Sequence, residues 1–427
     1  MMVRLRRVAL APLMIAASFL RCHSSNSDLL TPLRETESVF ASALPRIFFS
    51  DLDTGPNTGG QDGRGAFVTI YGAGFGSSRG ASTTTVGGGN VDRYLVWSDT
   101  KVSFQLGPAA ATGDLVAHAP NGSSNAVPFV VRGGRVLFVT PDGTGDGSYP
   151  NPMSPYAAVN SAQAGDTFYF RAGTYSGKYG NPNWSTGNFT LGPGQSGTIG
   201  HPVALVGYPG ETAVLEGPSP RQSTGYVNIR MSNAYEAAHD VTIANLILQG
   251  TDQCLDGEGA GAVNVRFVGN TCSASYQGDR QTGVVTVSNV NWRLLGNELR
   301  DTGTTPPIAT NRGIGLYPGA NHVEIAWNFI HDMRMGNAID VQGVDTQGAT
   351  FSLKDIRIHD NVLTAASVGD MRGIGVSRVL DASDGTIYNN VLHNLGQDYA
   401  AIAIGGGSWD VYNTPSTASA PRLAWCS

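Results

Sequence analysis

Two dipeptides fall at matching places in a recurring pattern, Arg300-Asp301 and His331-Asp332. If the pattern is a stack of strands, the four side chains share one outward patch. A His beside carboxylates and a guanidinium could move protons at a sugar or hold charge in place. The competing reading is a solvated ion-pair stripe at a turn. A second set lies on another outward stripe: Tyr317, Asp340 and Gln342, with Arg312, Arg372 and Arg378 near them in sequence. One carboxylate, one amide and one Tyr among small residues make a shallow groove for a sugar chain, where Tyr317 could stack on a pyranose ring. The competing reading is an ordinary polar sheet face. Uronide β-elimination would also need a basic residue near the abstracted proton, and often Ca²⁺ held by carboxylates. Of the three Lys, Lys354 alone falls in the repeats, which makes it the candidate base; a strand-edge Lys is the bland alternative. The run DGTGDG (142–147) hints at Ca²⁺, but Met153 stands where an EF-hand loop needs Glu, so a glycine turn is the better reading. No Gly-His-Gly, HExxH, P-loop, GxSxG or paired CxxC occurs.

The elements that must position these residues form an internal repeat. A six-residue register ends at Asn270, Asn297, Asn328, Asn361 and Asn390, at spacings of 27, 31, 33 and 29 residues. Varying spacing with a constant strand means that loops are inserted between strands. Three residues before each Asn stand Phe267, Leu294, Ile325, Ile358 and Ile387; two after stand Cys272, Leu299, Ile330, Leu363 and Leu392. Both sets read as inward stacks. A second strand per repeat is rich in Gly, Ala and Ile, as in GIGLY (313–317), AIDVQ (338–342) and GIGVS (373–377). One such unit cannot bury its own apolar face, whereas stacked units bury a continuous core. The expected architecture over 133–413 is a right-handed parallel β-helix, with the five Asn as a structural amide ladder. A third outward stripe, Arg266, Arg293, Glu324 and Arg357, reads as a structural charge ladder.

The front of this region, LFVTPDGTGDGSYPNPMSPYAAVNSAQAGDTFYFRAGTY (137–175) and GTIGHPVALVGYPGETAVLEG (197–217), resembles the start of pectate-lyase-like right-handed β-helix proteins. Ser154–Gln163 then suits a short helix capping the open end of the solenoid. The resemblance implies the fold more than the chemistry, because lyases, hydrolases, epimerases and adhesins share the scaffold.

Residues 46–132 show short alternating strands between Gly-rich turns, the pattern of a β-sandwich. A hairpin is expected around Asp99-Thr100 and another around Asn121-Gly122, with Trp97 as a core aromatic. The runs VTIYGAGFG, WSDT and the closing PFVV resemble the IPT/TIG immunoglobulin-like family. That resemblance implies a spacer or binding module beside an extracellular enzyme, and the lack of a catalytic cluster favours the rigid spacer. The whole chain is therefore expected to be all-β.

Composition agrees with a folded, exported protein. Hydrophobic residues are 41% and charged residues 14% of 427, with 56 Gly. The net charge of −6 excludes the basic field of a nucleic-acid binder. Arg4, Arg6 and Arg7 precede a 13-residue apolar run, Val8–Leu20, too short to span a bilayer. Residues 1–21 are expected to be a secretory signal and 22–45 a polar linker. Cys22, directly after the apolar run, is a candidate for lipidation, although Arg21 departs from the small residues such a site takes; release after cleavage is the alternative. Localisation is then secreted or on the outer cell surface, without a transmembrane span. Export permits a Cys254–Cys272 disulfide, but the inward position of Cys272 argues against it.

After Asn413 the strand period stops and the chain reads TPSTASAPRLAWCS. With one choice of codons for this stretch, restoring one base there returns VYNNTFYRVG, which matches IYNNVLHNLG from Ile387 onward. A shift of reading frame at residue 414 is the expectation, with 414–427 an aberrant tail. Three functional readings stay open. The first is recognition of extracellular polysaccharide, with uronide lyase activity as its catalytic form. The second is a non-enzymatic surface or adhesion protein with a β-helix stalk, and the third is a glycoside hydrolase.

Overall fold

The computed structural model describes residues 44–425 except 181–186, 218–225, 232–235, 275–282, 302–311, 334–335, 346, 366–370, 396–400 and 418–423. The segments expected to be a signal and most of a linker, with Cys22, and Cys426 lie outside the described residues.

Residues 133 onward wind into a parallel β-helix with three long sheets. Sheet I runs from Val136–Val139 to Ser408–Tyr412 in ten strands, sheet II from Gly173–Tyr175 to Ser416–Thr417 in nine, and sheet III from Tyr179–Gly180 to Ala424–Trp425 in ten. From Val203–Gly207 onward each coil contributes one strand to each sheet, and successive coils pair in parallel register: Phe267 faces Leu294, Leu294 faces Ile325, and Ile325 faces Ile358. Inward residues of the three sheets fill one continuous apolar column. The open end is closed by helix α1, Pro155–Ser161, as the sequence predicts. Ser154 caps it by accepting the Ala157 N–H at 3.1 Å, and Pro155, Ala158 and Val159 face the core.

The expected amide ladder is present. Asn270, Asn297, Asn328, Asn361 and Asn390 are all buried at the bend between sheets I and II. The Nδ2 of Asn297 donates to Asn328 Oδ1 at 2.9 Å, that of Asn328 to Asn361 at 2.9 Å, and that of Asn361 to Asn390 at 2.9 Å. Each Oδ1 also accepts the backbone N–H of the ladder residue one coil earlier, as Asn328 does for Asn297 at 2.9 Å. The residue before the ladder position takes positive φ in every one of these coils, including Trp327 at 56°.

The repeat does not stop at Asn413. Strand Ser408–Tyr412 pairs with Asp384–Tyr388, Tyr412 stacks on Tyr388 at 5.1 Å, and Ser416–Thr417 and Ala424–Trp425 extend sheets II and III. Asn413 takes the positive φ of the bend, and Thr414 stands at the ladder position, where the restored frame places Asn. Parallel pairing needs only backbone in register, so strands form here without the hydrophobic period that sequence reading looks for.

The disulfide expectation is corrected: Cys254 and Cys272 are bonded, with Cα atoms 6.0 Å apart. In a narrow solenoid, inward residues of neighbouring coils meet across the lumen. The inward position of Cys272 therefore brings the two sulfurs together.

The first domain is a two-sheet sandwich. Arg46–Ser50, Phe67–Ala73, Lys101–Gln105 and Arg93–Trp97 form one sheet, and the second is built around Gly113–Ala119. Both expected hairpins form, with Trp97 opposite Val102 and Val127 opposite Leu115. Trp97 is only half-buried, its indole N–H donating to Phe75 O at 3.2 Å, because it lies at the sheet edge.

This domain is not a free spacer. It lies side-on against the outer face of sheet I, and the two share one buried apolar cluster. Outward residues Val206, Ala244, Val268, Leu295 and Ala326 form the floor beneath Phe49, Phe67 and Tyr71. Polar atoms at the seam are matched: Tyr169 Oη donates to Phe67 O at 2.6 Å, and Asn245 Nδ2 donates to Asp51 Oδ2 at 2.7 Å. Burial pushes the Asp51 carboxyl up to about 6 against the backbone N–H groups of Thr69 and Leu52 that favour its charge. Gly296 must be glycine: its φ is 63°, and a Cβ there would sit 2.1 Å from the Phe49 ring.

Candidate functional site

Sheet III carries a polar outward column that runs across successive coils. Arg230 pairs with Asp256, Asp256 with Thr286, Thr286 with Gly315, Gly315 with Asp340, and Asp340 with Gly375. Period-2 alternation puts Ile229, Leu255, Val285, Ile314 and Ile339 in the core and leaves this column facing out. Two residues further along stand Glu258, Tyr317 and Gln342. Gly315 and Gly375 keep the face low; a Cβ on Gly375 would lie 2.3 Å from the Asn337 amide.

Arg312 organises the centre. Its Nε pairs with Asp340 Oδ2, Nη1 donates to Tyr317 Oη at 2.8 Å, and Nη2 donates to Gln342 Oε1 at 2.8 Å. Asn337 Nδ2 donates to the other oxygen of Asp340 at 2.7 Å, and Arg372 lies beside Asn337 in register. Burial opposes the Arg312 charge, but Tyr317 and Asp340 more than offset it, and the guanidinium is held above its usual value. Burial drives the Tyr317 hydroxyl up to about 12. One face of the Tyr317 ring is covered by the Arg312 guanidinium, 5.5 Å from the centroid.

A second charged group adjoins the first. Arg230 pairs with Asp256 at 3.3 Å, and Glu258 follows two residues later, its backbone N–H donating to Asp256 Oδ1 at 3.2 Å. The Glu258 carboxyl is pushed up to about 6, by burial first and by the Asp256 charge second. The residue as a whole keeps solvent access, which weakens the burial contribution and leaves the Asp256 repulsion as the firmer cause. A carboxyl titrating near 6 can hold or give a proton close to neutral pH.

The structure brings Arg312, Tyr317, Asp340, Gln342 and Arg372 together, as the sequence set them. Arg378 lies past the end of its strand and is exposed, with φ of 53°. The other group lies on a different face, with Lys354 apart from the rest. Arg300 and His331 are register partners on sheet II, a different face of the solenoid. His331 bonds Asp332 at 2.8 Å and Glu298 at 3.2 Å, and Phe329 stacks on its ring at 4.3 Å. Asp301 pairs with Ala274 in register, but its side chain lies outside the described residues. Lys354 stands on the turn before Ile356–His359 of sheet I, exposed and paired with Asp384 at 3.0 Å. Arg300, His331 and Asp332 therefore share one patch on adjacent strands of sheet II, as their spacing implies, whereas Lys354, on a turn leading into sheet I, stands apart from it.

Sequence reasoning missed Arg230, Asp256, Glu258 and Asn337. The register was anchored on the ladder Asn, and the coil before Asn270 carries Leu246 at that place, its N–H donating to Asn270 Oδ1 at 3.0 Å. The signal available was Leu255-Asp256-Gly257-Glu258, which repeats the parity of Ile339-Asp340-Val341-Gln342.

The Asp340 and Asp256 carboxylates are committed to guanidinium partners, an arrangement that does not fit Ca²⁺, which takes six to eight oxygens. Among the described residues no group of three or more His, Cys, Asp or Glu is placed to hold a metal ion, and no helix is long and apolar enough to cross a membrane.

Residues 52–149 match the IPT/TIG domain family. No curated protein matches the chain. Among solved structures, it is similar to the pectate lyase Pel9A, at 15% identity over 66% of this chain and 78% of that one, with a TM-score of 0.35. It is also similar to a rhamnogalacturonan lyase, at 13% identity over 64% and 62% of the two chains, with a TM-score of 0.28. A third similar structure is the Agl-KA catalytic domain, at 13% identity over 85% and 87%, with a TM-score of 0.22.

Proposed function

We propose that this chain is a secreted or surface-tethered protein that recognises extracellular polysaccharide along the outward face of sheet III. The Arg312 cluster carries the reading. Its donors and acceptors are held rigid by Asp340, Tyr317 and Gln342 on strands, which suits recognition of hydroxyl-rich ligands without reorganisation. The face is open, low and regular, as an extended ligand requires. An elimination base is harder to supply. Arg312 is held above its usual value and so does not give up its proton, and Lys354 is ion-paired on another part of the coil. Binding is therefore favoured over uronide β-elimination.

A second reading rests on Glu258. Its carboxyl is pushed up beside the Asp256 carboxylate, which makes it the candidate proton donor for glycoside hydrolysis.

The test is affinity electrophoresis of the full chain in gels containing acidic or neutral polysaccharides. Retardation that Gln342→Ala reduces supports the reading; no retardation in any gel, or retardation indifferent to that change, overturns it. Release of reducing ends, lost in Glu258→Gln, would establish the hydrolase, whereas unsaturated-uronate absorbance would establish the lyase. The same electrophoresis separates recognition from a stalk, which retards in none of the gels.

A further inference from the structure

The first domain and the solenoid enclose a cleft of about 620 Å³ over sheet I, a different face of the coil from the one that carries the Arg312 cluster. Its floor is the outer face of sheet I, from Pro202 to Arg357. Six strands lie in that span, so the floor is roughly 24 Å long at about 4.8 Å per strand. One wall belongs to the first domain, where Pro128 and Val130 line the cleft and Val130 is 45% exposed.

Two guanidinium groups in the floor are poorly engaged. Arg293 and Arg357 stand in one register column, separated by Glu324. Arg293 approaches Glu324 only to 3.7 Å and Arg357 approaches Asp355 only to 3.6 Å, beyond hydrogen-bond length. Glu324 turns instead to His359 at 3.2 Å. Among the described residues neither arginine donates a hydrogen bond, and Arg357 Nε is buried without a partner. Arg266, in the same column, shows what a committed arginine looks like there: it donates to Ser50 O at 2.8 Å and pairs with Asp53 at 3.1 Å.

Charge on the lining is balanced. Asp53, Asp240 and Asp355 stand against Arg266, Arg293 and Arg357. Such a cleft exerts little net pull on an anion or a cation. It offers open N–H forks, side-chain acceptors repeated once per coil, and an apolar wall of Pro and Val. That combination matches an uncharged sugar strand, whose hydroxyls need paired donors and acceptors and whose C–H faces need apolar contact.

We propose that the interdomain cleft is a second carbohydrate-binding site, for a neutral oligosaccharide lying along the solenoid axis with contacts to both domains. The first domain acts here as a fixed wall, which its shared core with sheet I keeps in place.

Isothermal titration of the full chain with cellohexaose, xylohexaose and mannohexaose tests this, with hexagalacturonate as the acidic comparison. At least one neutral hexasaccharide binds. The double variant Arg293→Ala/Arg357→Ala weakens it about tenfold or more. Val130→Trp, which fills the cleft from an exposed wall position, does the same without touching the arginines. The same loss persists when the cleft variants are made on a Gln342→Ala background, which separates this site from the proposed recognition face. The proposal is overturned if no neutral probe binds at millimolar concentration, or if binding ignores both cleft variants. It is also overturned if Gln342→Ala alone abolishes all binding of the neutral sugars, or if hexagalacturonate binds more tightly than the neutral sugars through Arg293.

Discussion

Arg312 and Asp340 reach each other across neighbouring strands of sheet III and form an ion pair in which the side chains are 13% and 4% exposed. Both were expected near a sugar groove, and their mutual commitment decides what each can do. Removing Arg312 strands a buried carboxylate, which costs about 3–5 kcal/mol. Arg312→Ala should therefore lower the urea midpoint sharply, while Arg312→Met/Asp340→Leu should recover most of the loss. Equal destabilisation of single and double variants would show that the pair is not a unit.

The amide ladder is open to the same kind of test. Asn328→Ala removes the acceptor of the Asn297 N–H and the donor to Leu294 O at 2.9 Å, both buried. Each group left unsatisfied costs about 1–3 kcal/mol, so the variant should lose several kcal/mol in denaturant titration. Thr414 offers the converse. Its hydroxyl bonds Tyr412 O at 3.2 Å, and Asn390 Nδ2 turns back to Tyr388 O at 3.0 Å. Thr414→Asn should extend the ladder by one amide and raise stability by about 1 kcal/mol. A neutral or destabilising result would place the end of the ladder at Asn390.

Stability should also depend on pH through His359. Burial disfavours its charge, but the hydrogen bonds to Asp360 and Glu324 more than offset that, and its value is raised above 6.5. A raised folded-state value means that the stabilisation is full below 6.5 and is lost as pH rises through the raised value. Thermal melts across this window should show a falling midpoint in the wild type, and His359→Gln should flatten that slope. An unchanged slope would assign the effect to another group; Asp51, also raised, acts in the same direction but between about 4 and 6.

Phe49 joins the two domains, stacked on Tyr71 at 4.8 Å and tilted against Trp327 at 5.4 Å. With the apolar cluster shared, calorimetry should record the first domain and the solenoid unfolding together. Phe49→Ala should cost about 3–5 kcal/mol and lower that joint transition. Two separated transitions in the wild type would contradict a common core.

The solenoid was legible because its period is carried by residue types with no substitute. An amide donates twice from Nδ2, along the ladder and to a backbone carbonyl, while its Oδ1 accepts a backbone N–H; a hydroxyl has only one proton to give, so Asn297, Asn328, Asn361 and Asn390 mark the bends. The coil that ends at Leu246 has no such marker, and Asp256 and Glu258 went unseen with it. The docking of the first domain was written in Val206, Val268 and Leu295, apolar at outward parity, but alternate faces of a strand look alike until something is known to cover one. Lys354 could not be placed because turn residues inherit no direction from strand parity.

The ladder also has a direction. The Oδ1 of Asn361 accepts from Asn328, and the Oδ1 of Asn390 accepts from Asn361, so every coil is completed by an oxygen that belongs to the coil after it. For a chain delivered amino end first, each new coil arrives as the missing acceptor of the one already laid down. Winding would then advance like a ratchet, with a single unfinished turn at its growing tip.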